Sequence, residues 1–267
     1  MNYITGKAMA EVYDLYFELS NEDRVNILKT LLLESLNLTR LSSKLELKNQ
    51  ETSRHLSRLE DAGLVSKNTD GTYGITHYGR LCLLKNEEMA FLFKHRDYFN
   101  SHSLERLPNS LLVKLGVLSK SNYVDDTLIA LQIVKNIIEE AEEYLYRLSD
   151  QFLMVLLDPI VGATDRGVNY WFIYSADIKL PPDAKETVRL RDAQRKGNFF
   201  SYTHKNIMAF MVMSEKEVML AFPQLDGSYD YTGFNSKNMD VLHWCKELYD
   251  YHSVDRQPPL PLWEGIP

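Results

Sequence analysis

Cysteine is nearly absent from this 267-residue sequence: Cys82 and Cys245 are the only two, far apart and without C-x-x-C spacing. That excludes a disulfide framework and a thiolate zinc knot, and both thiols are expected to be reduced and packed. No apolar run reaches the roughly 18 to 20 residues that span a bilayer. The opening MNYITGKAMAEVYDLY has no basic start, apolar centre or small-residue cleavage site, so no export signal is read in it. The expectation is a cytoplasmic chain without membrane contact. Catalytic signatures are missing too: there is no G-x-S-x-G, H-E-x-x-H, P-loop or G-x-G-x-x-G. Nor is there any His-x-Lys, which a phospholipase-D-like site needs so that one histidine attacks phosphorus while lysine steadies the developing charge. His204 and Lys205 are adjacent, and neither His95 nor His102 has a lysine two residues on. Without a complete constellation, no enzyme activity, catalytic residue, metal site or cofactor is expected.

What is present suits a globular chain of two domains: 45% hydrophobic and 25% charged residues over a length larger than one small domain needs. The net charge of -7 argues at first against a polyanionic partner, but its distribution reverses the inference. Residues 39–85 carry eight Lys and Arg against five acids, a local +3, which leaves -10 for the rest. A basic early segment is thus joined to an acidic remainder.

In NEDRVNILKTLLLES, Val25, Leu28, Leu31 and Leu32 recur at helical spacing behind Ser20 as the expected N-cap. A short helix from about 38 to 45 follows, opened by Thr39 and burying Leu38, Leu41 and Leu45. Over residues 49–62, NQETSRHLSRLEDA, the stripe Thr52, Leu56, Leu59 and Ala62 packs inward. That leaves Gln50, Ser53, Arg54, Ser57 and Arg58 outside. Small polar residues let a backbone approach closely, while Gln and Arg fork onto base edges or phosphates, which is the chemistry of a helix inserted in a DNA groove. Gly63 ends this helix, Leu64–Lys67 and Thr72–Ile75 form a hairpin around Asn68–Gly71, and Lys67 joins the candidate DNA contacts. His55, beside that face, reads as a packed or capping imidazole. From Thr76 a capped helix runs to about Phe99, and Leu81, Leu84, Met89, Leu92 and Phe93 give it more apolar surface than a wing covers. A homodimer seam is expected there.

The string QETSRHLSRLEDAGLVSKNTDGTYGITHYGRLCL resembles the recognition helix and wing of the ArsR and MarR groups of winged-helix regulators. The resemblance implies double-stranded DNA as partner. The Cys-x-Cys that carries metal sensing in ArsR proteins is absent, so that property is not implied. A winged helix that docks a protein instead of DNA is the rival reading.

Beyond about residue 101 the pattern changes. HSLERLPNSLLVKLGVL has a turn at Leu107-Pro108 and a helix with Leu111, Leu112, Leu115 and Leu118 inward. A long helix is expected from about 125 to 149, with the acidic EEAEE stretch solvated. FLMVLLDP, NYWFIYSAD and NFFSYTH read as strands, and IMAFMVMSEKEVMLAFPQ as a hairpin turned at 214–216. The segment DGSYDYTGFNSKNMDVLHWCKELYDYH reads as a loop, then a helix burying Leu242, Cys245, Leu248 and Tyr249. The expected fold class is α+β, a winged helix-turn-helix over residues 1–100 followed by an α/β sensor-like domain over 101–267. Tyr170, Tyr174, Tyr202, His204, Tyr231 and Trp244 are candidate ligand contacts, because small-molecule pockets are mostly apolar with a few polar tips.

HSLERLP...LGVL, IIEEAEEYLYRLSDQ, RGVNYWFI and YTGF...WCKELYDYH together resemble an archaeal family of winged-helix regulators associated with methanogenesis, whose second domain is regulatory. The RGV segment is also distantly similar to the sensor domains of TrmB-type regulators, which have a phospholipase-D-like fold. These resemblances imply a dimeric transcription regulator governed by a small-molecule effector.

Overall fold

The structure is a computed structural model that describes residues 11–177, 192 and 194–258. The chain divides into two compact units, Met1–Ala90 and Phe91–Pro267.

In the first unit, helices α1 (Val12–Leu19), α2 (Glu22–Leu33), α3 (Leu38–Leu45) and α4 (Asn49–Asp61) precede a hairpin of β1 (Val65–Lys67) and β2 (Tyr73–Ile75). Helix α5 (His77–Lys94) follows and carries the chain past Ala90. The helix starts are set by asparagines rather than by the residues expected from sequence. Asn21 Oδ1 accepts from the Arg24 amide and Asn37 Oδ1 from the Arg40 amide, both at 3.0 Å, while Ser20 Oγ donates to the Phe17 carbonyl instead. Asn in extended backbone offers its oxygen to the third amide as readily as Ser or Thr, so composition alone did not choose between neighbours. Thr76 does cap α5, accepting from the Gly79 amide at 2.9 Å.

Ile27, Leu28, Leu31, Leu41, Leu56, Leu59, Leu64 and Val65 form one core. Leu32, expected inside, is exposed, and Ile27 takes the central place. Gly63 closes α4 at φ +71°. Its amide donates to Glu60 O and that of Leu64 to Leu59 O, a two-bond helix termination that only a left-handed residue allows. Leu36 exchanges two backbone bonds with Tyr73 and so adds a third rung to the wing. A Cβ on Gly79 would overlap the Leu64 carbonyl oxygen, so α5 lies directly on the backbone of the wing.

The second unit holds a seven-stranded mixed sheet. In chain order its elements are α6 (Arg96–Ser101), α7 (Asn109–Leu112), β3 (Asn122–Val124), α8 (Thr127–Glu140), β4 (Tyr144–Ser149), α9 (Leu157–Asp165) and β5 (Asn169–Ser175). Then come β6 (Phe199–His204), β7 (Phe210–Ser214), β8 (Val218–Ala221), β9 (Gly233–Ser236) and α10 (Met239–Val254). The strand order is β3-β9-β8-β7-β4-β5-β6, with β4, β5 and β6 parallel and the remaining pairs antiparallel. Both faces of the sheet are covered. One core joins Val134, Ile137 and Ile160 to Tyr170, Phe172, Phe210 and Val212; the other joins Leu111, Leu118, Trp244 and Leu248 to Met211, Met213, Val218 and Ile173. Strands covered on both sides read as continuous apolar runs, as in MAFMVM.

Four expectations are corrected. The helix expected over 125–149 stops at Glu140, and its last stretch is β4. Two remote side chains make the break. Arg166 Nη2 donates to the carbonyls of Ile138, Glu139 and Ala141 (3.1, 2.8 and 3.3 Å), and the Glu215 carboxylate accepts from the amides of Glu142, Glu143 and Tyr144 (3.0, 3.4 and 3.4 Å). FLMVLLDP is a 3-10 turn, Met154–Leu156, leading into α9 rather than a strand, because a short apolar run rich in Leu and Met fits a buried helix equally well. The helix expected after the turn at Leu107-Pro108 is two short turns, α7 and the 3-10 stretch Leu115–Lys120. The helix to about Phe99 breaks at His95, between α5 and α6. In addition, β9 occupies part of the expected loop before α10.

His252 is fully buried on α10; its Nδ1 faces Leu248 O at 2.8 Å and its Nε2 accepts from the Met208 amide at 3.2 Å. Burial pushes its pKa from 6.5 down to about 4. The folded state therefore resists a proton that the unfolded chain accepts below pH 6.5, so stability present above that pH is lost as pH falls toward 4. Trp171 and Trp244 lie in this unit and report its unfolding. Between pH 7.5 and pH 5, denaturant unfolding followed by tryptophan fluorescence should show a loss of about 2 kcal/mol attributable to His252. The loss should be smaller by that amount in His252→Gln; equal pH dependence in the two proteins would contradict the assignment.

Candidate functional site

Helix α4 separates its residues as its period requires. Thr52, Leu56 and Leu59 are buried, and Gln50, Ser53, Arg54 and Ser57 are exposed on the other side. Lys67, at the end of β1, is exposed, with its Nζ 5.5 Å from the Tyr73 ring centre. These five present a small, polar and cationic surface.

Arg58 is placed differently. Its guanidinium makes a two-pronged contact with the Glu18 carboxylate at 2.5 and 3.1 Å and lies over the Phe17 ring at 5.0 Å. Glu18 is buried, and Arg24 Nε sits 3.0 Å from its second oxygen while donating to its backbone carbonyl. One carboxylate thus gathers two arginines and ties α1 to α2 and α4. Hydrogen bonding to Glu18 raises the Arg58 pKa further. Arg58 accordingly points to α1, apart from the exposed set.

His55 is buried, with 5% of its surface exposed, and lies on the flank of α4 toward α2. Burial lowers its pKa, with Asp23 opposing that shift. It takes no part in the exposed face.

In the second unit, a cavity of about 380 Å³ opens at the carboxyl ends of the parallel strands. Asp150 follows β4, Ser175 ends β5 with Asp177 just beyond it, and Lys205 and Asn206 follow β6; Arg106, Gln224 and Tyr229 complete much of the wall. Ligand sites in α/β sheets collect at such strand ends. Burial raises the Asp150 pKa, although Arg147 opposes it. Arg147 itself is fully buried, over the Phe172 ring at 4.7 Å, with Nη2 donating to Ser149 Oγ and Gln151 O at 3.3 Å. Tyr231, held at φ +62°, approaches Asp150 Oδ1 at 3.5 Å.

The six candidate ligand contacts do not come together. Tyr170, Tyr174 and Tyr231 pack in the core beneath α8 and α9, Tyr170 with its hydroxyl 3.5 Å from Arg147. Tyr202 and Trp244 lie on the opposite face, where Trp244 Nε1 donates to Leu111 O at 3.1 Å and Tyr202 carries Arg256 over its ring. His204 faces His252 at 5.2 Å between ring centres. None of the six lines the cavity. Its wall is made by polar residues just past apolar strands, a signal present in YSAD and THKN but concealed at Asp150 by the helical periodicity that runs on into β4.

The first unit is a winged helix-turn-helix domain: the profile of a winged helix-turn-helix family matches residues 24–93, which span α2 to nearly the end of α5. The second unit adds a mixed sheet with helices on both faces, so the fold class is α+β. No curated protein sequence matches the chain. Among solved structures it is similar to TrmBL2, described as an archaeal chromatin protein with a novel mode of DNA binding, at 19% identity and a TM-score of 0.44 over 96% of this chain and 100% of that one. NucT from Helicobacter pylori matches at 13% identity and TM-score 0.40, covering 52% of this chain and 97% of that one. Nuc, a phospholipase D family member from Salmonella typhimurium, matches at 10% and 0.35, covering 48% and 88%. None of the three reaches a TM-score of 0.5. Among the described residues no helix is long and apolar enough to cross a membrane.

The Glu18 cluster makes a direct prediction. Arg58→Ala removes one of the two cations holding Glu18, so amide hydrogen exchange over residues 12–19 should accelerate, whereas Ser57→Ala, one residue away and exposed, should leave it unchanged. Equal exchange in both variants would mean that the ion pair does not hold α1.

Proposed function

We propose that this protein is a dimeric, sequence-specific DNA-binding transcription regulator whose second unit takes a small polar effector. The observation that carries the reading is the surface of α4: in a domain matching the winged helix-turn-helix profile, the exposed residues of the helix after the turn are Gln50, Ser53, Arg54 and Ser57. Arg54 is suited to a base edge and Lys67 on the wing to a phosphate. Arg58, half-buried against Glu18, adds positive charge nearby.

Apolar residues on α1 and α5 support a dimer. Tyr13, Tyr16 and Phe17 on α1 and Leu81, Leu84 and Met89 on α5 are exposed, with Tyr13 at 71% and Leu81 at 64%. A second copy of the chain is the occupant that suits a symmetric DNA site, because paired recognition helices reach successive major-groove faces about 34 Å apart. The cavity at the strand ends of β4, β5 and β6 offers carboxylate, ammonium, amide and phenol groups to an effector. An effector that favours one spacing of the two recognition helices changes DNA affinity, and couplings of this kind are about 1 to 3 kcal/mol.

Two measurements check the reading. In titrations of selected duplex DNA, Arg54→Ala should cost about 1 to 3 kcal/mol on the preferred site and relax preference at one position, and Lys67→Ala should weaken all sequences while lowering the salt slope by about one. Salt-independent binding, or none, would leave the domain as a protein-docking module. In sedimentation experiments the wild type should be a dimer, with Leu81→Glu and Met89→Glu shifting it toward monomer; a monomeric wild type removes the dimer from the proposal.

A further inference from the structure

Asp23 in the first turn of α2 and Glu51 and His55 on α4 bring two carboxylates and an imidazole together, with one donor atom from each within 4.8 Å of the others. Glu51 and His55 are four residues apart and so share one side of α4. Asp23 faces them from the neighbouring helix. His55 is nine-tenths buried or more, and neither ring nitrogen has a hydrogen-bond partner. Its Nε2 points at Asp23 Oδ2 from 3.8 Å, beyond hydrogen-bonding reach. A buried polar side chain left in that condition is costly unless something else satisfies it. The nearest arginines do not: Arg24 is committed to Glu18, and Arg54 is exposed and, among the described residues, makes no ion pair with either carboxylate. Among the described residues, the long contact with His55 is the one ion pair made by either carboxylate.

We infer that Asp23, Glu51 and His55 form a binding site for one divalent transition-metal ion, with zinc best suited to the donor set. One imidazole and two carboxylates leave a fourth position for water, and metal–donor distances of about 2.0 to 2.2 Å put neighbouring donors about 3.3 Å apart in a tetrahedron. Rotation of the two partly exposed carboxylates closes the remaining gap. Calcium and magnesium are disfavoured by the imidazole and the small number of oxygens, and copper(I) by the lack of sulfur. No thiolate takes part, so no cysteine motif marks the site in the sequence, and the third ligand comes from a separate helix and is visible only in the fold.

A metal here would pin α4 to α2 and neutralise Glu51, which stands next to Gln50 on the exposed face. That consequence rests on the DNA-binding reading above; the site itself does not.

The test titrates full-length protein with Co2+, whose visible absorption reports coordination, followed by displacement with Zn2+. One equivalent should bind. Glu51→Gln and Asp23→Asn, both at partly exposed positions, should each weaken binding by more than about tenfold, a ligand mattering at least as much as the outer partners that cost that much. His55→Gln should weaken it as well, but the two carboxylate variants carry the test, with far-UV circular dichroism confirming that they are folded. No Co2+ spectrum at millimolar metal, or a spectrum unchanged in both carboxylate variants, would overturn the site. In a second arm, Zn2+ should strengthen duplex DNA binding by the wild type and not by Glu51→Gln. Metal bound without any change in DNA affinity overturns the coupling alone, and loss of DNA binding in every condition overturns the DNA reading while leaving the metal site intact.

Discussion

The seating of Leu56 and Leu59 of α4 in the core with Ile27, Leu28 and Leu41 is the contact on which the first unit depends. Those two leucines fix the rotation of α4 about its own axis. Once it is fixed, every other side chain of the helix is assigned a side: Arg54 and Ser57 to solvent, His55 toward Asp23, Arg58 toward Glu18. A rotation by one residue would turn Arg54 into the apolar core, at a large desolvation cost. The apolar stripe and the polar face are therefore one constraint expressed twice.

Two further devices hold this arrangement. The wing is joined to α5 at a place where Gly79 leaves no room for a side chain against the Leu64 carbonyl, so hairpin and helix are locked backbone to backbone. Glu18 then draws Arg24 and Arg58 to one buried carboxylate, which costs two cations their freedom but leaves neither Glu18 nor Arg24 buried without a counter-charge. Because Arg58 is used structurally, the positive surface of α4 is narrower than its composition suggests, and it centres on Arg54.

In the second unit the governing feature is that β4, β5 and β6 run parallel, so their carboxyl ends meet on one side of the sheet. Polar residues that follow apolar strands, Asp150, Asp177 and Lys205, are thereby gathered around one cavity although nothing in the sequence links them. Arg147 stands behind this wall, fully buried with its Nε unpartnered, and pulls against the effect of burial on Asp150. Aromatic residues singled out for their polar tips were instead distributed between the two faces, because side chains along a strand alternate. Tyr174 on β5 and Tyr202 on β6 accordingly lie on opposite faces of the sheet.

The sequence by itself determined most of the winged helix-turn-helix: helices α2 to α4, the left-handed Gly63, the wing and the exposure of Gln50, Ser53, Arg54 and Ser57 follow from periodicity and turn chemistry acting over a few residues. Local physics likewise sufficed for β5, β6 and the β7–β8 hairpin, whose apolar runs are bounded by turns. Tertiary structure decided what depends on partners far along the chain. The end of α8 was set by Arg166 and Glu215, which supply the hydrogen bonds that a local cap would otherwise provide, and so a strand was hidden inside an apparent helix. The commitment of Arg58 to Glu18, the assembly of the cavity and the meeting of Asp23 with His55 are decided in the same way. Each is a contact between elements, and a side chain's period tells which face it takes but not which distant residue will be waiting there.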